Sequence, residues 1–195
     1  MAVGTMEIIG AAHRQVAVAS LTLAFSADPV MRWGWPEPKQ YLSYWPRIAD
    51  ALGRGAFDHA TAYGLEGCVA VALWLPPGAA PDREAITRLM RESIDEETYD
   101  DTMRLFEQMD RFHPDVPHWY LSLIGVDPRA QGRGLGTRLL RPVLDACDTD
   151  HLPAYLKATS PRSRDLYGRH GFNVVGVIQA GTSPLLWAML REPAS

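Results

Sequence analysis

The feature that most constrains this chain is an apolar strand that runs into a glycine-rich loop and then a helix. Residues His118–Val126 form a near-continuous apolar run with β-forming side chains, which predicts a central strand. Gly125 within it suggests either a bulge or a close approach of something else to the backbone. Glycines alternate with other residues over Gln131–Thr137, and an amphipathic helix follows from Leu135. Such a loop presents several NH groups beside the positive end of a helix dipole, a geometry that binds phosphate.

Two familiar nucleotide motifs do not fit this loop. The nucleotide triphosphatase loop needs a lysine before its serine or threonine, and no lysine precedes Thr137. The dinucleotide fingerprint requires G-x-G-x-x-G after the first strand, whereas Gly132, Gly134 and Gly136 alternate and lie two thirds along the chain. Taken alone, the loop could also be a turn without a ligand.

The distribution of charge favours a small polyanion as the ligand. The 195-residue chain has a net charge of -4, yet residues 129–169 hold eight bases and four acids. No basic-aromatic surface or recognition-helix motif is present, so we expect no nucleic-acid partner. Residues 82–110 carry ten acids and four bases, which indicates either a solvated helical face or the border of an entrance for a cationic substrate.

Cysteine usage and hydropathy predict a cytoplasmic protein without a membrane span. Cys68 and Cys147 are the only cysteines and have no partners at metal-ligand spacing, so we expect neither a disulfide scaffold nor a metal site. The longest apolar stretch, Val16–Phe25, is too short to cross a bilayer. Its helical periodicity and the preceding Glu7 favour a buried first helix over a secretion signal.

The remaining elements follow from periodicity and turn residues. A helix is predicted over Lys39–Leu52, ended by Gly53 and Gly55, with Pro46 as a site for a kink. We expect a loop at 31–38, a hairpin of strands 57–63 and 68–75 around Gly64–Gly67, and one helical stretch over 82–110. Further strands are expected at 6–9, 154–158, 172–178 and 185–190, and a further helix at 161–170. Pro142 predicts a kink in the helix after the glycine loop.

Two motifs together resemble the GNAT superfamily of acyl-CoA-dependent acetyltransferases. The first is the strand, Q/R-x-x-G-x-G/A loop and helix, seen here as Val126–Gly136. The second is a tyrosine shortly before Gly-Phe, seen here as Tyr167-Gly168-Arg169-His170-Gly171-Phe172 at the family's usual distance from the loop. They cover about residues 118–175. Further features, among them Asp28-Pro29 and Leu152–Leu156, resemble the branch that contains puromycin N-acetyltransferase.

The resemblance implies one α/β domain over residues 1–195, with a mixed, mostly antiparallel sheet flanked by helices and an acetyl-CoA-binding core at 118–175. It implies transfer of an acetyl group from acetyl-CoA to a primary amine of a small molecule, by direct attack in a ternary complex. A peptide or protein amine as the acceptor, and an acyl-CoA-binding regulatory module without turnover, are the alternatives. Whether the chain forms a homodimer is left open.

The resemblance also assigns site residues. The NH of Ile124 would polarise the thioester carbonyl, and the Tyr167 hydroxyl would protonate the leaving thiolate. Ser160 stands where the family often has asparagine, and it could instead cap a helix. Arg133, Arg138 and Arg162 are candidates for contacts with phosphate. The residues expected to bind acetyl-CoA are Ile124, Gly125, Val126, Gln131, Gly132, Arg133, Gly134, Leu135, Gly136, Thr137, Ser160 and Tyr167.

The base that deprotonates the amine is not assigned by any motif. The candidates are His118, Ser122, Glu66, His113 and Asp110, and each could equally be structural or solvated. Aromatic side chains either wall an acceptor pocket or pack in the core; these are Trp33, Trp35, Tyr41, Tyr44 and Trp45.

Overall fold

A central sheet of seven strands organises the chain in the computed structural model, which describes residues 6–194. The strands are β1 (Glu7–Ile8), β2 (Ala62–Leu65), β3 (Ala70–Leu75), β4 (Trp119–Val126), β5 (Ala154–Ala158), β6 (Asn173–Ile178) and β7 (Leu186–Arg191). The α-helices are α1 (Arg14–Ala24), α2 (Pro29–Gly34), α3 (Pro38–Asp58), α4 (Arg83–Ser93), α5 (Glu96–Arg111), α6 (Leu135–Thr149) and α7 (Pro161–Gly168).

The sheet has the order β1-β2-β3-β4-β5-β7-β6. Its only parallel pairing among the described residues joins β4 to β5, and the other neighbours are antiparallel. The prediction of a mixed, mostly antiparallel sheet, parallel where the central strand meets its successor, is therefore confirmed. The long crossover between those two strands is α6, as parallel pairing requires.

Helices cover both faces of the sheet, so its central strands are apolar on both sides. Successive residues of β3 alternate between two cores, with Trp74 packed toward α6 and its neighbours Leu73 and Leu75 packed toward α1 and α3. All six residues of β3 are fully buried. A third, smaller cluster packs α5 onto the far end of the sheet, around Tyr155 and Ile178.

The helix expected to end at Leu52 continues to Asp58, and this corrects two predictions. Gly53 and Gly55 lie inside α3 because the helix packs closely on the sheet there. A Cβ at Gly53 would stand 2.3 Å from Leu73 Cδ1, and one at Gly55 would stand 2.7 Å from Leu75 Cδ2. The predicted strand 57–63 is correspondingly wrong in its first half, since β2 begins only at Ala62.

The hairpin between β2 and β3 turns later than predicted. Gly64 and Leu65 belong to β2, and the turn is made by Glu66, Gly67 and Cys68, which all have positive φ angles. The predicted second strand, 68–75, accordingly shortens to β3.

Two segments contain helix boundaries that the sequence pattern did not separate. The acidic stretch 82–110 is two helices, because Asp95 accepts a hydrogen bond from the Thr98 NH at 3.0 Å and starts α5 as its N-cap. The predicted loop at 31–38 begins within α2, where the Asp28 carboxylate accepts from the NH groups of Val30 and Met31 and Pro29 occupies the first turn.

The C-terminal elements agree with the predictions. β5 spans the expected residues, α7 ends two residues earlier than expected, and β6 and β7 each begin one residue later. The first helix, α1, is present as predicted, but its buried face consists of Ala17, Val18, Leu21 and Thr22, whereas Val16 and Leu23 of the expected apolar face are exposed. Within residues 6–194, no helix combines the length and apolarity that crossing a bilayer would require.

Candidate active site

The sheet opens between its two parallel strands. β4 and β5 pair only from Trp119 to Leu121, opposite Ala154 to Leu156, and β4 then continues alone on this side to Val126. The Asp127 NH donates to Val69 O at 2.9 Å, so the NH of Asp127 faces the β3 side of the strand and the NH groups of alternate residues face the same way. The NH groups of Ile124 and Val126 therefore point away from β3 and into the opening.

A bulge in β4 lies at Ser122. Leu123 is opposite Leu73 and Leu121 is opposite Trp74, so Ser122 has no counterpart on β3. Its hydroxyl donates to Leu52 O at 2.9 Å, which ties the bulge to α3. NH groups of successive strand residues point alternately toward β3 and toward β5. The extra residue reverses this order beyond Ser122, and the Ile124 NH therefore points toward the opening.

Gly125 is explained by a close approach to its backbone and not by a bulge. It pairs regularly with Val71, so a bulge at this position is excluded. A Cβ on Gly125 would lie 2.7 Å from Ala24 Cβ and 3.0 Å from Leu21 Cδ2. The glycine thus allows α1 to pack directly against β4.

The glycine loop presents a run of NH groups without protein partners. Gly132 and Gly134 have φ angles of 78° and 75°, a region that favours glycine, and a Cβ on either would meet only open space. Within the part of the chain that is described, none of the seven NH groups from Gln131 to Thr137 donates a hydrogen bond. These groups precede or begin α6, so they lie at the positive end of its dipole.

Charged side chains beside the loop are partly paired. Arg133 lies 3.0 Å and Arg138 lies 3.9 Å from carboxylate oxygens of Glu66, in the β2–β3 turn. Glu66 therefore belongs to the rim of the loop and not to the acceptor side, which removes it from the candidate bases. Arg162 is exposed in the first turn of α7.

Ser160 forms the N-cap of α7. Its hydroxyl accepts from the Ser163 NH at 3.2 Å, and the Ser163 hydroxyl accepts from the Ser160 NH at 3.2 Å. This reciprocal capping box is the structural role that the sequence allowed for Ser160.

Tyr167 lies in the last turn of α7 and is 6% exposed. Its ring packs edge-on against Phe172, with 6.0 Å between ring centroids, which explains the Gly-Phe that follows it. Burial, with a smaller contribution from the negative charge of Asp28, raises the pKa of the Tyr167 phenol. The hydroxyl consequently stays protonated across the physiological pH range.

A cavity of about 590 Å³ opens where β4 and β5 separate. Ile124, Ser122 and Tyr167 line it on the sheet side, and residues from α2, α3, α4 and α5 close it from the other side. Its wall is mainly apolar and aromatic, and its volume lies within the usual range for small-molecule sites. Of the aromatic candidates, Trp33, Trp35 and Trp45 line this cavity.

The two tyrosines of that aromatic group have other positions. Tyr41 is buried and its hydroxyl donates to Thr22 O at 2.6 Å, so it joins α3 to α1. Tyr44 packs at the edge of the core formed by the same helices. Core packing is therefore the correct explanation for both.

The structure brings three of the five candidate bases to the cavity: Ser122, His113 and Asp110. Asp110 accepts two hydrogen bonds from the Arg83 guanidinium. Desolvation, followed by the charge of Lys157, lowers the pKa of His113, which leaves its imidazole neutral at physiological pH. His118 stands outside the cavity, with Nδ1 2.7 Å from Val116 O.

Asp28, Thr159 and Lys157 complete the cavity surroundings, and sequence reasoning did not single them out as functional. Thr159 and Lys157 line the cavity from the end of β5, and the Thr159 hydroxyl donates to the Asp28 carboxylate. Burial raises the pKa of Asp28, although hydrogen bonds from Thr159, Met31 and Val30 oppose this effect. The three residues come from two distant segments, and no local motif connects them.

Both cysteines are buried in the core and away from the cavity. Cys68 is part of the β2–β3 turn and its side chain packs in the core with residues of α1 and α3, and Cys147 packs between α6 and the sheet. Desolvation raises the pKa of both thiols, that of Cys147 to about 12, so neither is a ready thiolate nucleophile. Among the described residues, no group of three or more His, Cys, Asp or Glu side chains is arranged to hold a metal ion.

Comparisons with known proteins agree with this geometry. Residues 99–172 match the acetyltransferase (GNAT) family. An uncharacterized N-acetyltransferase of Schizosaccharomyces pombe is 32% identical over 78 residues, 38% of this chain and 32% of that protein. The mycothiol acetyltransferase of Beutenbergia cavernae is 40% identical over 67 residues, 33% of this chain and 23% of that protein. The chain thus spans about a third or less of the lengths of these curated relatives.

The fold is shared over a much longer range than the sequence match. A crystal structure of histone acetyltransferase HPA2 and related acetyltransferase from Corynebacterium glutamicum superposes with a TM-score of 0.71 at 25% identity. That likeness covers 100% of this chain and 98% of the other. The glycine loop and the tyrosine helix both lie inside residues 99–172, the part of the chain that is similar to the acetyltransferase (GNAT) family.

Proposed function

We propose that this protein is an acetyl-CoA-dependent N-acetyltransferase that acts on a primary amine of a small molecule. The observation that carries the proposal is the cavity at the opening between β4 and β5, lined by both Ile124 and Tyr167. The glycine loop follows the same strand directly. A deep site for an acceptor and a phosphate-type loop are thus joined at one point of the sheet, and this favours a small-molecule acceptor over a protein surface.

The loop fits the phosphates of coenzyme A. Seven adjacent NH groups, the helix dipole and the Arg133 side chain supply donors and positive charge to an anion. The backbone of Ile124–Val126 faces the opening and can pair with the pantetheine amides in the place of a neighbouring strand. Ser160 would contact the ligand only through the oxygen that also caps α7.

The chemistry requires a donor for the developing oxyanion and an acid for the leaving group. The Ile124 NH donates to the acetyl carbonyl oxygen as the amine nitrogen bonds to its carbon. The carbon–sulfur bond breaks, and Tyr167 gives its hydroxyl proton to the thiolate. The amine loses its proton to a base, for which His113, Ser122 and Asp110 are the candidates within the cavity, although Asp110 is already paired with Arg83. Both cysteines are buried elsewhere, and we expect the amine to attack the thioester directly in a ternary complex.

Thermal unfolding with CoA, acetyl-CoA, longer acyl-CoAs, ATP and NAD tests the ligand. At 100 times the Kd, acetyl-CoA should raise the Tm by roughly 5 to 10 °C, since binding then adds about 2.7 kcal/mol. ATP and NAD should give smaller shifts. No stabilisation by CoA or its thioesters would contradict the proposal.

Release of free thiol from acetyl-CoA in the presence of an amine panel then tests turnover. We expect the small molecule to be an antibiotic or a metabolite, and the panel includes puromycin because the sequence resembles the branch that contains puromycin N-acetyltransferase. Amine-dependent thiol release supports the enzyme. Stabilisation by acetyl-CoA without thiol release from any amine would favour a regulatory module, and release with peptide amines alone would favour a peptide or protein acceptor.

A further inference from the structure

We infer that the acceptor of this site carries an anionic group, a carboxylate, in addition to its amine and an apolar body, and that Lys157 binds that carboxylate. This inference rests on the proposed function and adds the substrate class to it. It comes from the position of Lys157 in a largely apolar cavity whose other lining cation, Arg83, is paired with Asp110.

Lys157 stands where the two parallel strands separate. It is the first residue of β5 after Leu156, the last residue paired with β4, and it lines the cavity. Nζ donates to the Tyr120 hydroxyl at 3.0 Å and lies 4.4 Å from the centroid of the Tyr120 ring and 5.2 Å from that of Tyr155. The tyrosines hold the half-buried ammonium in place but supply no negative charge.

The ammonium has no carboxylate partner within residues 6–194, where every ion pair involves an arginine. Asp110, at the exposed mouth of the cavity, is near enough for its charge to interact with Lys157, but it accepts both of its hydrogen bonds from Arg83 and its ion pair is with that arginine. Asp115 lines the same mouth and is exposed to solvent. A partly desolvated cation of this kind gains most from an anion that binds beside it.

The charges along the end of β5 match a molecule that bears both signs. Two residues beyond Lys157, Thr159 also lines the cavity and donates its hydroxyl to the Asp28 carboxylate. Asp28 in turn is close enough to Tyr167 for its charge to influence the phenol. A cationic amine is therefore favoured beside Thr159 and Tyr167, and an anion is favoured beside Lys157. Tryptophan and aliphatic side chains of the cavity would surround the apolar body.

Matched pairs of acceptors test this assignment. Each pair consists of a phenyl-bearing amino acid and the same amine without its carboxylate, with the carboxylate one, two or three carbons from the amine; phenylalanine and phenethylamine are the first pair. In at least one pair the amino acid should have the higher kcat/KM, by roughly 10- to 100-fold, as expected for a hydrogen-bonded charge pair. Equal kcat/KM values within every pair, or higher values for the amine that lacks the carboxylate in every pair, would overturn the inference.

Variants then connect the preference to the residue. Lys157→Gln should reduce the ratio of kcat/KM within the preferred pair by about tenfold or more, and Lys157→Glu should reverse it. Lys39 is the other lysine of the chain, exposed in the first turn of α3, so Lys39→Gln is the matched control and should keep the ratio. An unchanged ratio in Lys157→Gln would overturn the assignment of the residue.

Thermal unfolding of the variant and thiol release by the wild-type protein separate a failure of the substrate assignment from a failure of the proposed function. Thermal unfolding of Lys157→Gln with and without acetyl-CoA shows that the variant folds and binds the donor. If no amine releases thiol from the wild-type protein, the proposed function fails. If amines release thiol without regard to a carboxylate, the proposed function stands and only the substrate class is wrong.

Discussion

At the scale of single residues, Tyr167 gives the sharpest prediction about chemistry. Tyr167→Phe removes one hydroxyl from a buried ring and leaves the contact with Phe172 in place. We expect kcat to fall by about 100-fold or more, the usual contribution of a general acid. The Kd of acetyl-CoA, measured by calorimetry, should change by less than about threefold, because a neutral hydroxyl contributes little net binding. Loss of affinity with kcat preserved would show that the acid role is wrong.

The residues of the site differ in how far the sequence predicted them. The glycine loop and Tyr167 stand in local motifs, so spacing along the chain was enough to find them. Asp28 at the start of α2 meets Thr159 after β5 through a hydrogen bond, with Lys157 two residues earlier in the same strand, and sequence spacing does not encode that contact. The bulge was predicted near a glycine but lies at Ser122, because Gly125 is required by the approach of α1 and not by strand irregularity.

At the scale of elements, the packing of α1 on β4 depends on Gly125. Gly125→Ala places a methyl group 2.7 Å from Ala24 Cβ, so α1 must move away from the strand. Overpacking of this kind should cost about 1 to 3 kcal/mol in the free energy of unfolding, measured with urea. Gly168→Ala is the control, since a Cβ there meets no heavy atom within 4 Å. Equal stabilities of the two variants would contradict this account of Gly125.

The same effect explains which elements the sequence misplaced. Glycine usually ends a helix, and this favoured a boundary at Gly53, yet α3 passes through Gly53 and Gly55 because Leu73 and Leu75 need the space. The helix α2 was hidden by prolines and aromatics, although Asp28 and Pro29 are a regular helix start. Elements with a single clear period, such as β4, β5 and α6, were predicted well because local pattern and tertiary packing agree there.

At the scale of the whole molecule, charge is distributed unevenly, and the net value of -4 conceals this. The acidic excess of residues 82–110 resides on α4 and α5, beyond the cavity from the sheet. Seven of the eight bases of residues 129–169 lie in or beside the glycine loop, α6 and α7, and the eighth is Lys157 in the cavity. If the donor is acetyl-CoA, as proposed, this distribution would direct its anionic phosphates toward the loop and away from α4 and α5.

One ion pair joins the ends of several elements, and it predicts how stability depends on pH. Arg191, at the end of β7, donates two hydrogen bonds of 2.7 Å to Asp148 near the end of α6, and its Nε donates to His170 O. The Arg191 bonds, the Ala194 NH and the positive charge hold the pKa of Asp148 at about 2 in the folded protein. The pair therefore links α6, β7 and the turn after α7.

Because the folded pKa of Asp148 lies below the ordinary aspartate value of about 3.9, its contribution to stability is present above that value and is lost as the pH falls toward 2. Asp148→Asn removes the carboxyl group that titrates at this position. The difference in unfolding free energy between the wild-type protein and this variant, from urea unfolding at a series of pH values, should be largest above about pH 4 and should shrink as the pH approaches 2. A difference that stays constant from pH 7 to pH 2 would show that the pair does not shift the pKa of Asp148.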